Sequence, residues 1–118
     1  MPETSAATVP VPALGRLRAA SVVPKPWGRE LWYEQNGSTA QILEIHQGQA
    51  LTLQAQKDMT ETLFLLSGRV WFHLNGHNFE IIPGAFLPIV HGDVCGLHAI
   101  ENAVVLITRR ETQGELTP

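Results

Sequence analysis

Turn signals recur along this sequence at short intervals, and they leave little room for helices. Asn36-Gly37 and Asn75-Gly76 are dipeptides in which both residues tolerate positive φ, as two-residue hairpins require. Gly48, Ser67-Gly68 and Pro83-Gly84 mark further turns. Between them lie segments with strand character: Leu31-Trp32-Tyr33, then 41–46, 51–56, 61–66, 69–74, 78–82, 85–89 and 103–108. Roughly eight or nine short strands at intervals of about 8 to 12 residues predict an all-β closed barrel or jelly roll. Closure also removes the exposed edges that a small sheet would otherwise present.

Alternation assigns faces within these segments. In 69–74, Val70, Phe72 and Leu74 share one side and Trp71 and His73 the other. The first set is expected inside the barrel. Trp71 and His73 are then expected on the outer sheet face, covered by a partner subunit or by the N-terminal arm. The run 103–108 is almost continuously apolar and predicts a strand buried on both faces. Residues 90–97, with two glycines, read as a loop.

Residues 1–24 are rich in Ala, Thr, Pro and Val, with prolines at 2, 10, 12 and 24. They read as a flexible arm with one short edge strand around Leu17 to Val23. Residues 25–110 then form the barrel and 111–118 a C-terminal tail. A hydrophobic content of 44% and a charged content of 16% exclude wholesale disorder. The net charge of -3 and the scattered basic residues give no reason to expect nucleic-acid or anionic-membrane partners. No apolar run approaches a membrane span, and no signal peptide is evident. The single cysteine, Cys95, excludes an internal disulfide and fits a cytoplasmic protein.

The stretch 48–68 concentrates the residues with coordination chemistry: Gln49, Gln54, Gln56 and Glu61. Gln54 and Gln56 are two apart, so on one extended strand they project from the same face. Glu61 precedes the next apolar run. Two side chains from one strand and a carboxylate from its neighbour are expected to converge inside the β-structure.

The same residues resemble the first motif of the cupin superfamily. Gly48, positions 54 and 56, Glu61 and Gly68 stand in its register, though this chain has glutamine where the motif has two histidines. The second cupin motif resembles 83–102: Pro83-Gly84, Pro88, then His98 and Asn102, with a few extra residues before His98. Lys25-Pro26-Trp27-Gly28 and the LTLQ of 51–54 are similar to the mannose-6-phosphate isomerase-like group. The resemblance implies a cupin β-barrel, also called a double-stranded β-helix or jelly roll.

Carried over residue by residue, the resemblance implies a metal set of Gln54, Gln56, Glu61 and His98. Phosphomannose isomerases use glutamine at the first position and keep histidine at the second, so Gln56 departs from them. Imidazole suits zinc, iron and nickel, whereas amide and carboxylate oxygens suit harder ions such as manganese. The expected cofactor is therefore a divalent metal (Mn, Fe, Ni, Co or Zn). Three functions follow. One is a metal-dependent, isomerase-like enzyme acting on a small sugar or hydroxy or keto acid. The second is a metal-free epimerase, lyase or cyclase using Glu61 and His98 as an acid–base pair. The third is a non-catalytic binding cupin, which the change at Gln56 favours. The resemblance also implies a homodimer. His91 is read as a solvated loop residue near the cavity mouth, His46 and His77 as surface residues, Cys95 as a bystander, and Trp27 and Trp32 as packing residues.

Overall fold

The computed structural model describes residues 19–35 and 38–111. Residues 1–18 of the expected arm, the Asn36-Gly37 turn and residues 112–118 of the expected tail lie outside the described residues. Ten strands are present among the described residues. They are β1 (Ala19–Lys25), β2 (Gly28–Gln35), β3 (Ser38–Ile45), β4 (Ala50–Leu53) and β5 (Met59–Ser67). After them come β6 (Val70–Leu74), β7 (His77–Ile81), β8 (Phe86–Val90), β9 (Cys95–Ala99) and β10 (Ala103–Glu111). No helix among these residues is long and apolar enough to cross a membrane.

The strands form two antiparallel sheets. One has the order β4-β9-β6-β7 and the other β1-β2-β3-β10-β5-β8. β10 therefore lies in the middle of its sheet, pairing Ile107 with Gln41 on one side and with Leu63 on the other. Strands that alternate apolar and polar residues bury one face and leave the other outward. Leu43, Leu63, Phe72, Leu97 and Ile107, drawn from five strands of both sheets, are each at 2% exposure or less and meet in one core. Phe79 packs its ring 5.4 Å from that of Phe72. The expected inward Val70 and Phe72 and outward Trp71, at 46% exposure, are all as the alternation placed them.

Two expectations need correction. The segment 90–97 is not a loop throughout, because Cys95 begins a strand. Cys95, Leu97 and Ala99 alternate inward, and Gly96 between them breaks neither ladder: it pairs with Thr52 on one side and His73 on the other. The strand over 103–108 is not buried on both faces either. Ala103, Val105 and Ile107 are buried, whereas Val104 and Leu106 are only half-buried on the outer face.

That outer face explains the continuous apolarity. The registers place Val22, Leu31, Ile42, Leu106, Phe64 and Phe86 in one row across all six strands. Phe64 and Phe86 stack at 6.0 Å, and Phe86 remains 62% exposed.

The turns follow the sequence signals. Asn75 and Gly76, at φ 50° and 87°, close the β6–β7 hairpin between Leu74 and His77. Gly68, at φ 88°, is constrained twice, since a Cβ there would meet the Asn102 carbonyl oxygen at 2.1 Å. The Asn102 side chain in turn accepts a hydrogen bond from the Gln47 amide at 2.7 Å. Both ends of the first motif, Gln47 beside Gly48 and Gly68 itself, thus lie against Asn102 at the end of the second.

Candidate functional site

Glu61 lies on β5 opposite Arg109 of β10, with both side chains directed to the inner side of the six-stranded sheet. A carboxylate at 3% exposure must find a partner, because an unpaired buried charge costs several kcal/mol. Arg109 supplies it: its Nε donates to Glu61 Oε2 at 2.9 Å. The same guanidinium donates through Nη2 to Gln41 Oε1 at 2.5 Å and lies 5.1 Å from the centroid of the Trp32 ring. Trp32 Nε1 donates to Glu30 Oε1 at 3.1 Å, which fixes the indole. A cation held by a carboxylate, an amide and an aromatic ring is fully engaged.

This cluster was not apparent from the motif, yet the sequence carried its signal. Gln41 shares parity with inward Leu43 and Ile45, and Arg109 shares parity with inward Val105 and Ile107. Two polar residues at core parity on adjacent strands ask for each other, and for Glu61.

The other residues of the expected site lie elsewhere. His98 is on β9 of the four-stranded sheet, between the inward Leu97 and Ala99, and is itself exposed on the outer face. Gln54 and Gln56 follow β4 in the connection to β5, and both are exposed. The Gln56 carbonyl accepts from the Met59 amide at 3.1 Å, which closes that turn. The structure therefore does not bring Glu61 and His98 together. It does bring Gln54 together with His91 and Asp93, around a depression of about 180 Å³. His91 is exposed, with Nδ1 3.4 Å from the Ala55 carbonyl oxygen. Trp27 packs against the core.

As placed, Gln54, Gln56, Glu61 and His98 do not fit a common metal ion. Glu61 lies on the inner face of one sheet, His98 on the outer face of the other, and Gln54 and Gln56 in the exposed connection between strands, and the Glu61 carboxylate is taken by Arg109. Among the described residues, no group of three or more His, Cys, Asp and Glu side chains is arranged to hold a metal.

Cys95, at the start of β9, is buried. Burial pushes its thiol up to about 12, and the negative charges of Asp93 and Glu61 push in the same direction. The loop before it is latched: Asn75 Nδ2 donates to Asp93 Oδ1 at 2.9 Å, and the Val94 amide donates to Asn75 Oδ1 at 2.8 Å. The Val90 amide donates to Asp93 Oδ2 at 2.9 Å. The bond from Asn75, and then that from Val90, hold the Asp93 carboxyl below its ordinary range.

A second depression, about 300 Å³, lies on the outer face of the four-stranded sheet. Its floor is Gly96, and Thr52, Trp71, His73 and His98 stand around it.

Neither a family profile nor a curated protein matches the sequence. Solved structures do match. An RmlC-like cupin from Shewanella frigidimarina aligns with a TM-score of 0.65 at 9% identity, over 82% of this chain and 88% of that one. KdgF from Halomonas gives 0.61 at 16% identity, over 76% and 86%. Drosophila melanogaster CENP-C, solved bound to CAL1, gives 0.65 at 12% identity, over 76% of each chain. At these identities the likeness speaks to the fold, and it agrees with the motif register, the two-sheet topology and the all-β core. The described residues of this chain form one domain with the cupin fold.

Proposed function

We propose that this chain is a binding cupin with no chemistry in its barrel, and that its partner is a second copy of itself. One observation carries the reading. The inward positions hold Leu43, Leu63, Phe72, Leu97 and Ile107 at 2% exposure or less, so the barrel centre is packed with side chains rather than open to a substrate. Within it, the carboxylate expected to do chemistry is held in an ion pair with Arg109. A metal-dependent isomerase-like centre, or a Glu61–His98 acid–base pair acting on a small molecule, would require β9 to turn its outer face inward.

The row from Val22 to Phe86 supports self-association. Apolar patches of this kind on a sheet face mark interaction surfaces. The cupin fold of CENP-C, solved in a complex with another protein, is a precedent for the fold in a binding role, offered as analogy. The one free, buried cysteine is in keeping with the expectation of a cytoplasmic location.

Light scattering on the purified full chain tests the reading. A dimer is expected, and Leu106→Lys, at the middle of the row, is expected to give a monomer with an unchanged far-ultraviolet spectrum. A wild-type chain that stays monomeric at all concentrations overturns the partner. A small molecule whose binding is lost in a folded Glu61→Gln variant would return the chemistry to the barrel.

A further inference from the structure

We propose that the outer face of the four-stranded sheet carries a two-histidine site for a divalent transition metal, Cu²⁺, Ni²⁺ or Zn²⁺, held by His73 and His98. The register places the pair. His98 is opposite Trp71, and Gly96 is opposite His73, so the two histidines are diagonal neighbours on the same face of adjacent strands. Diagonal positions in an antiparallel pair are about 7–8 Å apart at Cα, within reach of two long side chains. Both imidazoles stand around the same depression of about 300 Å³.

Three features prepare the site for an ion. Gly96, opposite His73, carries no side chain and lines the depression together with both histidines. His73 Nδ1 lies 2.6 Å from Asn78 Oδ1. An amide oxygen only accepts, so Nδ1 carries the proton and the Nε2 of the neutral ring carries the lone pair. Fixing one ring nitrogen to a carbonyl is how metal-binding histidines are commonly oriented. His98 is exposed and His73 partly so, and neither imidazole must be stripped of a buried partner to bind.

Nearby carboxylates do not complete the set. Glu80, beside Trp71 in the register, is bound by Arg69 Nε at 2.7 Å, and Arg69 also reaches Glu101 at 3.5 Å. Two nitrogens leave the remaining coordination positions to water or to a donor brought by an incoming molecule. The preference for copper, nickel and zinc follows from imidazole as the ligand type. This site is on the opposite side of β9 from the barrel interior and is independent of the binding role proposed above.

The test titrates Cu²⁺ into the tag-free, chelator-treated full chain, reading heat and tryptophan fluorescence. One saturable copper per chain is expected, with quenching that Trp71→Phe reduces while the binding heat remains. His73→Ala and His98→Ala are each expected to weaken binding by at least about 10-fold, and Asn78→Ala, which frees the His73 ring, by about 10-fold. Gln54→Ala and Gln56→Ala are expected to leave it unchanged. Nitrogen couplings from two imidazoles in the copper resonance spectrum of the wild-type chain provide a check that needs no variant. The site is overturned by absent saturable binding, by no imidazole coupling, by unchanged affinity in His73→Ala, or by dependence on Gln54 and Gln56 in its place.

Discussion

Arg109 stands directly opposite Glu61 across two neighbouring strands, and its Nε donates to the Glu61 carboxylate at 2.9 Å under the Trp32 ring. Removing one member of such a pair leaves a buried charge unsatisfied, which typically costs about 3–5 kcal/mol. Arg109→Met and Glu61→Leu are each expected to lose that much in urea unfolding. The double variant is expected to recover most of it, because two apolar side chains replace two charges. Equal losses that simply add would contradict the pairing.

Gly48 and Gly68 share a left-handed backbone, at φ 85° and 88°, and differ in their surroundings. Nothing lies within 4 Å of a Cβ at Gly48, whereas one at Gly68 would meet the Asn102 carbonyl oxygen at 2.1 Å. Gly48→Ala is expected to cost about 1–2 kcal/mol, the strain of the conformation alone. Gly68→Ala adds a steric clash with backbone and is expected to cost clearly more. Thermal melts of the two variants, measured side by side, decide this.

The latch of the 90–95 loop responds to acid. The Asp93 carboxyl is held below its ordinary 3.8 by bonds from Asn75 and the Val90 amide. A carboxyl lowered in the folded state contributes stability above its unfolded value, and the contribution is lost as pH falls through the folded value. Glu80, lowered by Arg69, has the same sign. Melting temperature is therefore expected to fall below about pH 4, and Asp93→Asn is expected to show a shallower fall over that range. A wild-type profile that stays flat to pH 2 would refute this.

Cys95 is expected to be inert in the native protein. The thiolate is the reactive form, and a thiol pushed to about 12 holds almost none of it at neutral pH. An aromatic disulfide reagent is expected to leave native protein unlabelled and to label one thiol per chain in denaturant. Rapid native labelling would show that the β9 end of the barrel opens.

The fold was legible because its signals are local. Asn75-Gly76, Gly48, Gly68 and the parity of Val70 and Phe72 each report a backbone state or a face, and each is observed. The extra strand at Cys95–Ala99 was less visible, since Gly96 and Gly92 suggest a loop to any local reading. The site was legible only in part, because it depends on which face a strand turns inward. His98 keeps the motif spacing to Asn102, and the Asn102 side chain accepts from the Gln47 amide. The histidine nevertheless points outward, because Cys95, Leu97 and Ala99 take the inward positions of β9 against the core. Arg109 escaped notice for the converse reason: its partner Glu61 is 48 positions away, and only the pairing of β5 with β10 brings them together.

The position of β10 has a consequence for how the chain is made. Residues 103–111 supply the strand that separates β3 from β5, so the six-stranded sheet cannot close until that segment has left the ribosome. Until then β3 and β5 each expose an unpaired edge beside apolar side chains, a state prone to wrong pairings. A chain stalled before residue 103 therefore lacks the strand that joins β3 to β5, and those two edges stay open to wrong pairing.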